Sequence, residues 1–166
     1  DEEMATDLLA EKIAAAINAN NGVFRLGLST GTSPVELYKK LVKLNQAGSV
    51  SFKDVQIYSI DEYYPAPADN QSRNRRLYEE FISKVDIKPE NVHVPKLTEV
   101  HDSTFVTDFC SQYDADARDL DMLVMGVGEN GQIGFNESGA SEQSVTRTVL
   151  LSYGSRKRQA RYFGGN

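Results

Sequence analysis

The chain has 166 residues, 40% of them hydrophobic and 25% charged, an ordinary composition for one domain large enough to bury a core. Eighteen Lys and Arg against 24 Asp and Glu give a formal charge of −6, which argues against a nucleic-acid surface and makes any anion site a local arrangement. The single cysteine, Cys110, excludes an internal disulfide framework and a cysteine-clustered zinc site, and reads as a half-buried thiol. No apolar run approaches the ~20 residues of a membrane span. Asp1, Glu2 and Glu3 stand where a signal peptide carries positive charge, so the cytoplasm is the expected compartment.

Leu8, Leu9, Ile13, Ala16 and Ile17 fall at helical spacing, so residues 4–18 form an amphipathic helix that Asn20, Asn21 and Gly22 stop. Residues 24–29 are a short apolar run ending in small side chains, the pattern of a buried strand. Pro34 suits the first turn of a second helix with Leu37, Leu41 and Leu44 on one face, ended by Gly48. Residues 55–60 read as a second strand and 65–70 as a loop. Leu77, Phe81 and Val85 mark a third helix, residues 92–94 a short strand between Pro89 and Pro95, and Phe105, Phe109 and Tyr113 a fourth helix. Residues 122–127 are the next strand. This alternation predicts an α/β fold, a doubly wound, mostly parallel Rossmann-like sheet with helices on both faces, in a single domain over 1–166.

In such sheets ligands sit beyond the carboxyl ends of the strands, and three segments there look unlike plain connections. Ser29-Thr30-Gly31-Thr32-Ser33-Pro34 combines small side chains, hydroxyls and a helix start, which suits a phosphate, although Ser or Thr before Pro is also common helix-start chemistry. Asp61-Glu62-Tyr63 ends the second strand, where a carboxylate serves either as a general base or as a cap. The run from Gly126 to Glu137 carries four glycines with Asn130, Gln132, Asn136 and Glu137 among them. It is either a polar ligand loop or a glycine-rich turn, and no helical pattern follows it as a dinucleotide fingerprint requires.

Together these segments resemble the glucosamine-6-phosphate deaminase family. Leu28-Ser-Thr-Gly-Thr-Ser-Pro34 is similar to its phosphate loop, Ser59-Ile-Asp-Glu-Tyr63 to its Asp-Glu-Tyr motif and Gly134-Phe-Asn-Glu137 to its signature loop. Ser51-Phe-Lys-Asp-Val55, the stretch from Asp86 to Pro95, and Arg161-Tyr-Phe163 resemble three further family segments in the same order. The resemblance implies a small-molecule sugar-phosphate substrate, no metal or other cofactor, and an isomerisation that releases ammonia to give fructose 6-phosphate. It implies no nucleic-acid or membrane partner and leaves self-association open. It also implies that the family domain continues past Asn166, with further strands, helices and a phosphate-binding lysine.

Carried over by position, Thr30, Gly31, Thr32, Ser33 and Arg161 hold the phosphate, Asp61 moves a proton between C2 and C1, and Glu137 orients the ring-opening group. The family reads Asp-Gly-His where this chain has Asn130-Gly131-Gln132. Glutamine does not titrate, so the resemblance implies impaired ring opening with binding preserved. Arg73 stands where the family often has Tyr; with Arg75 and Arg76 it reads as a solvated helix face rather than a substrate contact. Two other readings stay open, a non-catalytic sugar-phosphate-binding regulator and, ranked lower, a 6-phosphogluconolactonase.

Overall fold

The computed structural model describes residues 2–67, 71–160, 163 and 164. Its centre is a four-stranded parallel sheet in the order β3-β2-β1-β4. The strands are β1 (Phe24–Leu28), β2 (Val55–Ser59), β3 (Val92–His93) and β4 (Met122–Val124). The helices are α1 (Glu2–Ala19), α2 (Val35–Gln46), α3 (Arg73–Glu80), α4 (Ser103–Asp116) and α5 (Tyr153–Ala160). β1 is flanked on both sides, pairing Leu28 with Ser59 of β2 and with Val124 of β4. Strand order therefore reverses beside β1: the chain runs outward through β2 and β3, then returns to lay β4 on the other side. The crevice of a doubly wound sheet opens at that reversal, beyond the carboxyl ends of the strands.

Leu26, Leu28 and Ile57 of the central strands are fully buried, as is Ile13 of α1 and Leu41 of α2. The near-continuous burial of β1 and β2 follows from cover on both sheet faces. Gly27 has a packing reason: a Cβ there would come within 2.5 Å of Leu123 Cδ1 and 2.8 Å of Leu120 Cδ1. Tyr38 stacks on Phe81 at 5.3 Å, and Phe52 meets Phe81 edge-on at 5.1 Å. Below these rings, Asp86 accepts from the Asn45 amide at 2.7 Å, the Ser51 hydroxyl at 2.6 Å and the Phe52 N–H at 2.8 Å. That carboxylate ties α2 and the lead-in to β2 to the segment after α3.

Two elements are shorter than their apolar patterns imply. Phe81 leaves helical backbone at φ −138°, so α3 ends at Glu80 and Ile82–Lys84 form a 3-10 turn. The side chain of Phe81 is buried in the core, so the periodicity of Leu77, Phe81 and Val85 reports burial across that break, not one continuous helix. β4 pairs with β1 only through Val124, and the expected strand over 122–127 gives way to the glycine-rich segment three residues early. No helix among the described residues is long and apolar enough to cross a membrane.

Candidate active site

The segment after β1 is tied to the sheet from both sides. The Ser29 N–H donates to the Val124 carbonyl at 3.1 Å, and the Tyr38 hydroxyl donates to the Ser29 carbonyl. Burial first, with the Asp61 charge second, pushes the Tyr38 phenol well up, so this hydroxyl stays a donor. Thr30 is 1% exposed, and its hydroxyl donates to Asp61 Oδ1. Gly31, Thr32 and Ser33 instead face a cavity of about 160 Å³. α2 begins there without a side-chain cap, whereas Ser72 caps α3 and Asp102 caps α4. Its first N–H groups, with the Thr32 and Ser33 hydroxyls beside them, are the donors an anion needs.

Asp61, at the carboxyl end of β2, is 9% exposed and lines a larger cavity of about 520 Å³ together with Tyr63, Phe135 and Asn136. Arg73 Nη1 donates to both of its oxygens, at 3.1 Å to Oδ1 and 3.0 Å to Oδ2. Side-chain exposure of 13% for Arg73 and 8% for Asp61 makes this a buried pair. The guanidinium also lies 4.2 Å over the Phe135 ring and 5.5 Å from that of Tyr63. Burial works against its charge, but Asp61 and then the Tyr63 hydroxyl outweigh burial and raise its proton affinity above the ordinary arginine value. The expectation of a solvated helix face is thus corrected for Arg73, while Arg75 does pair with Glu79 on the exposed side at 2.6 Å.

Glu62, next in the chain, has a different task. It accepts from the N–H groups of Arg73 at 3.1 Å and Asn74 at 2.9 Å and from the Ser72 hydroxyl at 2.5 Å. It is the acid at the start of α3, satisfying donors that helix termini leave open. Alternation along the end of β2 turns Asp61 and Glu62 to different partners, one toward the crevice and one toward the helix.

The segment after β4 folds into two tight turns. Gly131 closes the first, its N–H donating to the Gly128 carbonyl at 2.9 Å with φ +74°, and leaves Asn130 exposed. In the second, Ile133 and Asn136 exchange backbone hydrogen bonds around Gly134 at φ +57°, which brings Phe135 over Arg73. A Cβ on Gly134 would lie 3.1 Å from Asp61 Oδ2, so a larger residue here would push the carboxylate or the loop aside by a few tenths of an ångström. Gln132 packs on Gly128, and its Oε1 accepts from Arg158 Nη2 at 3.1 Å. Glu137 Oε2 accepts the Ser152 N–H at 2.9 Å, while Oε1 is buried with no donor in hydrogen-bond geometry. The nearby Ser155 hydroxyl, then Ser152 and Arg158, hold the Glu137 carboxyl below the usual glutamate value.

The structure therefore brings together Asp61, Thr30, Arg73, Tyr63 and Phe135, with Gly31, Thr32 and Ser33 on the adjoining cavity. Asn130, Gln132 and Glu137 border neither cavity; Gln132 and Glu137 meet α5 instead. Arg161 lies outside the described residues. Among the described residues, no group of three or more His, Cys, Asp or Glu is placed to hold a metal ion.

Residues 1–160 match the family of glucosamine-6-phosphate isomerases and 6-phosphogluconolactonases. The chain belongs to this family. It is 36% identical to the glucosamine-6-phosphate isomerase of Candida albicans, a match covering 98% of this chain and 65% of that one. Glucosamine-6-phosphate deaminase 2 of Bacillus subtilis is also 36% identical, over 85% of this chain and 57% of its own length. The chain thus spans between 57% and 65% of the length of these two curated relatives. A solved monomeric glucosamine-6-phosphate deaminase superposes with a TM-score of 0.87 at 29% identity, covering 99% of this chain and 68% of that chain. The structure of a devB protein shares the fold, with a TM-score of 0.72 at 21% identity over 92% of this chain and 66% of that chain. Membership in the family accounts for the order of the three loops around the crevice. It does not account for Arg73, which pattern alone hides as one basic residue in a cluster of three.

Proposed function

We propose that the chain acts on an amino-sugar phosphate, shifting a proton between C2 and C1 of the open-chain form and releasing ammonia. The observation that carries this reading is Asp61, a buried carboxylate at the strand end, open to a cavity large enough for a hexose and joined through Thr30 to a loop of phosphate-type donors. Asp61 takes the proton from C2, leaving an enolamine. The proton returns at C1 while O1 takes up the proton that the substrate's own ammonium gives up, and the resulting C2 imine adds water and expels ammonia, giving fructose 6-phosphate. Gly31, Thr32, Ser33 and the open start of α2 hold the phosphate, with Arg161 as a further cation. Thr30, whose hydroxyl is taken by Asp61, orients the base.

Ring opening is the weak step. Gln132 cannot relay a proton, so the enzyme depends on sugar that opens spontaneously, and general acid–base help of about 100- to 10,000-fold is forgone. Glu137, held below its usual pKa, remains an anion at neutral pH, but it is engaged by Ser152 away from both cavities and would have to leave that partner to take part in ring opening. Incubation with glucosamine 6-phosphate, following ammonia and fructose 6-phosphate together, tests the reading. Tight binding without either product at high enzyme concentration would reject catalysis in favour of a sugar-phosphate-binding regulator. That second reading is favoured by Gln132 being engaged by Arg158 and by Asn130 facing solvent.

A further inference from the structure

Arg73 stands at the boundary of two cavities. Asp61, its ion-pair partner, lines the larger one, while Arg73 itself lines the smaller one with Gly31, Thr32, Ser33 and Arg76. Tyr63 is a wall of both. One guanidinium therefore reaches from the carboxylate at the end of β2 to the cavity bounded by the loop after β1. Of its five N–H donors, Asp61 uses those on Nη1, and the donors on Nη2 and Nε are not committed to that carboxylate. Phe135 lies under the guanidinium carbon at 4.2 Å, a contact that tolerates sliding because a ring face attracts a cation without fixing its direction. The backbone of Arg73 is fixed by Glu62, so movement is confined to the side chain.

In the present arrangement both Asp61 oxygens face Nη1, and Thr30 occupies Oδ1 as well. Of the carboxylate's lone pairs, Oδ1 has both engaged and Oδ2 one, so a single acceptor site beside the guanidinium is left to take a proton from carbon. A phosphate monoester dianion in the smaller cavity offers the same guanidinium twice the charge and a bidentate edge.

We propose that Arg73 is a phosphate-responsive positioning residue: a phosphate monoester bound against Gly31, Thr32 and Ser33 draws the guanidinium from Asp61 and so frees the carboxylate. Anion binding by Arg73 stands on the cavity alone, and the role of the freed carboxylate as base rests on the function proposed above. The consequence is selectivity, since an unphosphorylated amino sugar can occupy the larger cavity but leaves Asp61 paired.

The test uses the full chain and inorganic phosphate as the probe. Calorimetric titration of the wild type should show binding that weakens about tenfold or more in Arg73→Gln and by less in Arg73→Lys, which keeps the charge and loses the fork. In carbon-13 spectra, phosphate should move the Asp61 carboxyl resonance, assigned by its loss in Asp61→Asn, and should leave it unmoved in Arg73→Gln. Should Arg73→Gln fail to fold, the wild-type spectrum and Arg73→Lys still decide. Phosphate that binds Arg73→Gln as tightly as the wild type, or that binds the wild type without moving the Asp61 resonance, overturns the proposal. A phosphate response with no turnover of glucosamine 6-phosphate would leave this coupling standing and reject the enzymatic reading. Turnover with no phosphate response would do the reverse.

Discussion

Arg73 and Asp61 form a buried ion pair across a twelve-residue separation, with one guanidinium nitrogen 3.0 Å and 3.1 Å from the two carboxylate oxygens. Removing one partner of such a pair leaves an uncompensated charge, a loss of about 3–5 kcal/mol, whereas removing both is far milder. Asp61→Asn and Arg73→Met should each lower stability in urea denaturation, and the double variant should recover much of the loss. Additive losses in the double variant would mean that the two side chains are not energetically coupled. Asp61→Asn should also abolish product formation.

Thr30→Val keeps the shape of a side chain that is 1% exposed and deletes its donor to Asp61. The expected cost is about 1–2 kcal/mol of stability. Misplacing the base should reduce kcat by about tenfold or more. Steady-state kinetics with glucosamine 6-phosphate would show this as a fall in kcat at nearly constant KM.

Gly134→Ala meets two obstacles, a φ of +57° and a Cβ position 3.1 Å from Asp61 Oδ2. Backbone strain of about 1–2 kcal/mol is expected from the left-handed conformation alone. The larger effect should be on activity, because relief of the contact moves either Phe135 or the carboxylate. A melting temperature and kcat both equal to those of the wild type would show that the loop does not approach Asp61 so closely in solution.

Asn130→Asp combined with Gln132→His should raise the rate on the closed-ring substrate about 100-fold or more, by supplying a titrating group for ring opening. Arg158, which now bonds Gln132, must release that position for the gain to appear. An unchanged rate would separate this loop from ring opening.

Asp86 contributes to acid stability on the far side of the molecule. Burial opposes its charge, but the Ser51 hydroxyl, the Phe52 N–H and the Asn45 amide together hold its carboxyl below the usual aspartate value. A depressed folded-state pKa contributes stability that is fully present above the unfolded value of about 4 and is lost as pH falls through the folded value. Asp86→Ala should cost about 1–3 kcal/mol at pH 7 and show a shallower decline below pH 4 in urea titrations at graded pH.

The sheet and its three ligand-edge loops were legible because burial on both faces writes continuous apolar runs, and because tight turns demand glycine and small polar residues. The positions of Asp61 and of Gly31, Thr32 and Ser33 at one edge follow from those two signals. Helix boundaries were less legible where the core crosses a break, as at Phe81, whose burial mimics helical spacing. Arg73 escaped for another reason. Its neighbours Arg75 and Arg76 give it the look of a charged surface, and nothing local marks which of three arginines turns inward. The deciding contact is with a residue on another element, and the cap that aims α3 at it, Glu62, reads in sequence as a second acid of the motif.

That cap also has a consequence for motion. Asp61 and Glu62 are adjacent, and Glu62 grips the first N–H groups of α3, where Arg73 begins. The path from carboxylate to guanidinium is therefore one peptide unit and one set of hydrogen bonds long, which leaves little slack between them. Backbone relaxation at residues 61, 62, 73 and 74 should accordingly be uniform and rigid, with the fast dynamics confined to the arginine side chain.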